Sequence, residues 1–151
     1  MAYTLVGGPP TNKSDTNSHD NSYMYPDTGT FAHNGIIKEV QIYGNVAGTI
    51  KVKIFSDDGS NYVLERESAV LSFGTGLTTI TGLWLPVRKG WIFGQFIATG
   101  HQDASGSGEG TGLYIANEVT GTTAKGDWGA VTRVHAFQGK VFTYVGPIGG
   151  S

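Results

Sequence analysis

The feature that most constrains this chain is an alternation of period two that recurs along it and is cut repeatedly by glycine. In "GIIKEVQIYG" the set Ile36, Lys38, Val40 and Ile42 is more apolar than the interleaved Ile37, Glu39, Gln41 and Tyr43. In "TIKVKIF", Ile50, Val52 and Ile54 alternate with Lys51, Lys53 and Phe55. That pattern describes a strand buried on one face, with the two lysines turned to water. "AYTLV" (Ala2–Val6), "YVLERES", "AVLSF", "LTTITGLWLPV", "WIFGQFIATG", "GLYIA" (Gly112–Ala116), "AVTRVHAF" and "KVFTYV" continue the series. Helical periodicity is nearly absent. About ten strands at a spacing of roughly 8–12 residues define an all-β chain. The expected fold is a jelly-roll-like antiparallel β-sandwich of about 8–10 strands in one domain, residues 1–151. "AYTLV" and "KVFTYV" are expected to be neighbours in one sheet.

Composition bounds the partners. Glycine is 24 of 151 residues and charged residues are 15%, against about 25% in ordinary soluble domains. Such a surface suits many turns and cover by other proteins. The formal charge is −2 with only ten Lys and Arg, so no basic stripe points to nucleic acid. No apolar run approaches the ~18 residues of a membrane helix. The start "MAYTLVGGPP" lacks the basic and apolar regions of a signal peptide. There is no cysteine, so nothing depends on redox compartment. These features fit a cytoplasmic protein, a trimmed mature domain, or part of a particle assembled inside a cell.

Two segments do not read as strands. Residues 7–34 are polar and turn-rich yet contain Tyr23, Met24, Tyr25 and Phe31, which a flexible linker has no need of. They are expected to form an ordered arm or long loop lying on its own sheet or on a neighbouring subunit, which makes Tyr23, Tyr25 and Phe31 candidate interface residues. Residues 100–111 are Gly/Ser-rich and read as a mobile loop. "SGSGEGTG" matches no phosphate-binding pattern and has no lysine.

The stretch "AGTIKVKIF…GSNYVLERES…LTTITGLWLPVRKGWIFGQFIA", about Ala47 to Ala98, resembles the core of jelly-roll β-sandwich modules. Its Leu85, Val87, Gly90 and Gly94 match a pattern L-x-V-x-x-G-x-x-x-G that closes a hairpin in such sandwiches. Galactose-binding-like modules, trimers like the complement globular head, and phage fibre or capsid-decoration domains share it. The resemblance implies a non-catalytic task of binding or assembly, and it carries over no particular binding residue.

The residues offer little for catalysis. There is no G-x-S-x-G elbow, and the four histidines are His19, His33, His101 and His135. His135 sits in "TRVHAF" on a strand face with Arg133 and Phe137. Glu65 and Glu67 lie two apart on one strand, roughly 6.5–7 Å from each other. A glycosidase pair normally comes from different strands, so they read as a solvated face with Arg66 opposite. No enzymatic activity is expected and no resident cofactor. Calcium is a minor option at "DTNSHDN" (Asp15, Asn17, His19, Asp20) or "SDDGSN", where turn chemistry explains the residues as well.

Aromatics are the most informative class, at 11%. If Leu83, Leu85 and Val87 face inward, Trp84 faces out, and it requires a cover of protein, either the arm or another subunit. Trp91 is expected after a hairpin turn at Arg88, Lys89 and Gly90, packing near Gly94. Trp128, in the turn-rich "KGDWGA", is the expected exposed platform. With Tyr114, Asp103, Asn117 and Asp127 it forms a candidate ligand loop for a surface glycan. Two functions follow. The first is a homo-oligomeric, most simply trimeric, virion surface protein such as a capsid-decoration or fibre domain, whose partners are itself and a larger assembly. The second is a carbohydrate-binding module.

Overall fold

The computed structural model describes residues 2–13, 15–16, 20–104, 111–131 and 134–143. In chain order it contains β1 (Tyr3–Gly7), β2 (Asp15–Thr16), β3 (Asn21–Met24) and the single turn α1 (Pro26–Gly29). Then come β4 (Gly35–Asp57), β5 (Asn61–Glu67), β6 (Leu71–Phe73), β7 (Gly76–Ile80), β8 (Leu85–Val87) and β9 (Ile92–Ala104). β10 (Gly112–Ala116), β11 (Thr122–Ala124), β12 (Gly129–Val131) and β13 (Phe137–Thr143) complete the set. The fold is all-β, antiparallel and β-sandwich-like, as the alternation requires. The thirteen strands among the described residues exceed the expected 8–10 mainly because β2, β3 and β11 fall in segments that do not read as strands.

β4 is the spine. "GIIKEVQIYG" and "TIKVKIF" read as two strands, and the chain joins them into one strand of 23 residues. Its first half pairs with β13 on one side and with β8 and β7 on the other. Its second half pairs with β9 on one side and with β6 and β5 on the other. One layer therefore runs β1–β13–β4–β7/β8, and the other runs β12–β10–β3–β9–β4–β5–β11. β1 and β13 pair along five residues, as expected for the first and last strands. The long strands cross closely at Gly48 and Gly100. A Cβ on Gly48 would lie 1.9 Å from the Thr99 carbonyl oxygen, and Gly100 has φ +81. Only glycine satisfies both demands.

The main core lies between the layers. Ile37, Val40, Ile42, Phe137 and Val141 of one face Ile50, Val52, Ile54, Phe93 and Ile97 of the other. Phe93 stacks on Phe137 with ring centres 4.6 Å apart, joining the layers through their rings. The inward set in β4 is Ile37, Val40 and Ile42, which differs from the set read by simple alternation. The β13 register passes from Lys140↔Glu39 to Val141↔Ile37, so Lys38 is an extra residue. This β-bulge switches the parity of the strand and turns Lys38 outward.

Two further expectations change here. Residues 7–34 are not an arm laid over a surface. β3 sits between β9 and β10 as an internal strand, and Tyr23, Tyr25 and Phe31 belong to the core of their own chain. β8 and β9 do not form a hairpin. β8 pairs with the start of β4 and β9 with its second half, so the turn at Arg88–Gly90 carries the chain from one layer to the other. The Trp91 amide donates to the Arg88 carbonyl oxygen at 3.0 Å, and Gly90 donates to Phe31 at 2.8 Å.

Candidate functional site

The outer faces of the two layers have different surroundings. On the β9 layer, Met24, Phe55, Ile92, Leu113 and Ile115 point outward and are roofed by Val119 and Trp128 from the connection after β10. Trp128 is only 7% exposed. It meets Phe55 and Tyr62 edge-on at 5.5 and 5.9 Å, and its Nε1 donates to Thr123 Oγ1 at 2.8 Å. The expected exposed platform is thus a buried roof. Gly129, next to Trp128, lies close against the Tyr114 ring, an approach that turn composition alone does not distinguish from a free loop.

The same roof buries Lys53, expected in water and in fact 0% exposed. Its Nζ donates to Glu67, to Glu118 at 2.7 Å and to the Val119 carbonyl oxygen at 3.0 Å. Lys51 also reaches Glu118 at 3.0 Å. The hydrogen bond from Lys53 outweighs partial burial and holds the Glu118 carboxyl below its usual range. Glu67 is an ion-pair partner of Lys53 whose side chain stays 43% exposed, so it lies on a solvated face as expected. Glu65 accepts from Ser56 Oγ at 2.6 Å. In "SDDGSN", Asp57 and Asp58 accept from the amides of Gly59, Ser60 and Asn61, which is turn chemistry. Among the described residues no group of His, Asp and Glu is arranged to hold a metal. Asn17, Ser18 and His19 of "DTNSHDN" lie outside the described residues, as do residues 105–110 of the Gly/Ser-rich loop.

The remaining members of the expected ligand loop do not converge. Tyr114 alternates with Leu113 and Ile115 and so faces away from Trp128, its ring lying against Gly129. Asp103 is buried at the end of β9, where its Oδ2 accepts from the Lys13 amide at 2.9 Å. Asn117 holds φ +71 at the exit of β10 and donates its amide to Asp20. Asp127 is exposed in the 3₁₀ turn Lys125–Asp127.

A polar cluster lies inside the sandwich. The Tyr25 hydroxyl is 2.6 Å from His135 Nδ1 and accepts from Gln95 Nε2 at 2.7 Å. Gln95 and Gln102 exchange two amide hydrogen bonds, at 2.8 and 2.6 Å. Burial pushes the Tyr25 hydroxyl well above its ordinary pKa, so it stays protonated. These side chains are nearly inaccessible, and their pairing satisfies polar atoms that the core would otherwise strand.

The β13 layer has no such roof among the described residues. Tyr3 and Leu5 point outward from β1 and are about half exposed. Tyr3 touches Phe142 with ring centres 5.6 Å apart, and Lys140 sits 4.9 Å over Tyr3. Lys38, turned out by its bulge, lies 5.3 Å over Phe142 and 5.2 Å over Trp84. Trp84 is 64% exposed. The parity argument placed it correctly outside, although it stands in the β7–β8 connection and not on a strand. The arm is woven into the fold and does not cover it. Tyr3, Phe142, Lys38 and Trp84 thus form a continuous row, which the break of alternation at Lys38 alone foreshadows.

A groove lies beside the β8–β9 turn, bordered by Asn34, Ile36, Arg66, Pro86, Arg88 and Trp91, with a volume of about 580 Å³. Trp91 borders this groove and not Gly94, whose missing Cβ admits the Tyr23 carbonyl oxygen and the Phe55 ring. No protein-family model and no curated protein sequence matches the chain.

Proposed function

We propose that this protein is a non-catalytic structural and recognition protein that works as a homo-oligomer, in the manner of a virion surface subunit such as a capsid-decoration or fibre domain. The observation that carries the reading is the uncovered row Tyr3–Phe142–Lys38–Trp84 on the outer face of the β13 layer. Exposed aromatic patches of this kind mark interfaces. The occupant is a second copy of the chain. The face carries both signs of charge, with Lys38 and the Lys140–Glu39 pair at 3.2 Å, so one copy can complement another across a symmetry axis. Three copies are expected from the resemblance to trimeric sandwich modules.

Light scattering coupled to size exclusion, from 1 to 100 µM, tests this. The expected result is a concentration-dependent rise to a trimer mass that Trp84→Ser reverses. A wild-type protein that stays monomeric across the range overturns it.

A further inference from the structure

We infer that the groove beside the β8–β9 turn is a binding site for an acidic saccharide, one carrying a carboxylate or sulfate on a pyranose ring. The groove is built from three separate parts of the chain. Asn34 and Ile36 come from the entry to β4, Arg66 from β5, and Pro86, Arg88 and Trp91 from β8 and the turn after it. Its lining contains two arginines and no acidic side chain. Both guanidinium groups lie against the Trp91 ring, with Cζ 5.4 Å from its centre for Arg66 and 6.0 Å for Arg88. An arginine held beside an indole in this way can still engage an oxyanion bidentately through its N–H edges.

Among the described residues neither arginine is in an ion pair. Lys51, Lys53, Lys125 and Lys140 each hold a carboxylate. Arg66 Nη1 donates to the Glu65 carbonyl oxygen at 2.9 Å, which leaves its other donors for a ligand. Asn34 Oδ1 accepts from the Lys89 amide at 2.9 Å, which fixes the side chain and leaves its Nδ2 to donate. The polar side chains of the groove are therefore all donors, and the partner they suit is an oxyanion with hydroxyl neighbours.

The apolar part decides what bears the oxyanion. Ile36 and Pro86 are partners in register, and with Trp91 they give the groove an apolar floor. A pyranose lays its C–H face on such a floor, offers hydroxyls to Asn34 and sets its acid between the arginines. An acidic peptide would use the arginines alone. The volume suits one or two rings, within the roughly 300–1,000 Å³ of small-ligand sites.

The test is calorimetric titration of the full chain at low salt with trigalacturonate, a sulfated galactose disaccharide, neutral galactobiose and an Asp/Glu tripeptide. Binding of at least one acidic saccharide is expected. Arg88→Gln and Arg66→Gln should each weaken it about tenfold or more, with the neutral sugar at least tenfold weaker than its acidic counterpart. Whichever acid binds more tightly identifies the anion. Both arginines are exposed, and an unchanged thermal midpoint in the variants shows that lost binding is not lost folding. Trp84→Ser should bind as the wild type does, so this site and the oligomer contact fail separately. No binding of either acidic saccharide, unchanged affinity in both arginine variants, or equal affinity for the tripeptide overturns the proposal.

Discussion

The two outer faces of this sandwich come from the same kind of strand and end in opposite states. On the β9 layer the outward residues Met24, Phe55 and Ile92 are sealed beneath Val119 and Trp128, and a lysine is buried with them. On the β13 layer the outward residues Tyr3, Leu5 and Trp84 stay open. Local pattern does not separate them, since both layers place aromatic residues on the outside. The difference is the connection between β10 and β12, which returns over one sheet and has no counterpart over the other among the described residues. A sheet with both faces covered is a core element, whereas a sheet with one apolar face left open is a surface made to be met.

The comparison can be broken most directly at the roof. Trp128→Ala should destabilise the protein by about 3–5 kcal/mol, the usual loss for a large buried aromatic, read as a fall in urea midpoint. A loss below about 1 kcal/mol would mean the roof is not part of the folded core. A smaller effect is expected at Glu118. Glu118→Gln removes one carboxylate from Lys53 while Glu67 remains, so the loss should be about 1–3 kcal/mol at pH 7.

The pH dependence has a defined sign. The Glu118 carboxyl lies lower in the folded protein than in the unfolded chain, where it is near 4.3. Its contribution is complete above that value and is lost as pH falls below it, through the depressed folded value. Urea midpoints from pH 7 to 3 should therefore decline less steeply in Glu118→Gln than in the wild type. The smallest stability effect belongs to the open face. Trp84→Ser should change unfolding free energy by no more than about 0.5 kcal/mol, as for an ordinary exposed position, even as it lowers the mass of the assembly. A large loss of monomer stability would erase the distinction between the two faces.

Sequence pattern reached some of this and missed the rest for physical reasons. All-β architecture follows from period-two alternation, which is a local property, whereas the β1–β13 pairing joins distant segments and Trp84 faces out from a connection. The union of two strands into β4 does not follow from alternation, because "GNVAG" reads as a turn until β9 is known to run beside it. β3 is four residues with little apolar pattern, and its place between β9 and β10 is set by partners far along the chain. Tyr23, Tyr25 and Phe31 were recognisable as residues needing burial, but whether their own core or a neighbour supplied it was not. Lys53 looks like any outward lysine until Glu118, 65 residues away, closes over it. Arg66, Arg88 and Trp91 had no common signal at all, since only tertiary structure brings them to one groove.

β4 also governs how the molecule comes together. A strand shared by both layers cannot be finished in one without presenting an edge to the other, so neither sheet is a separable unit. Its partners β13 and β9 come from distant parts of the chain, and contacts of high sequence separation make assembly slow, on the order of milliseconds to seconds. Loss of structure should then be a single event, with far-ultraviolet circular dichroism and tryptophan fluorescence reporting the same midpoint. The crossing at Gly48 and Gly100 thus acts as the seam at which the two halves commit to folding together.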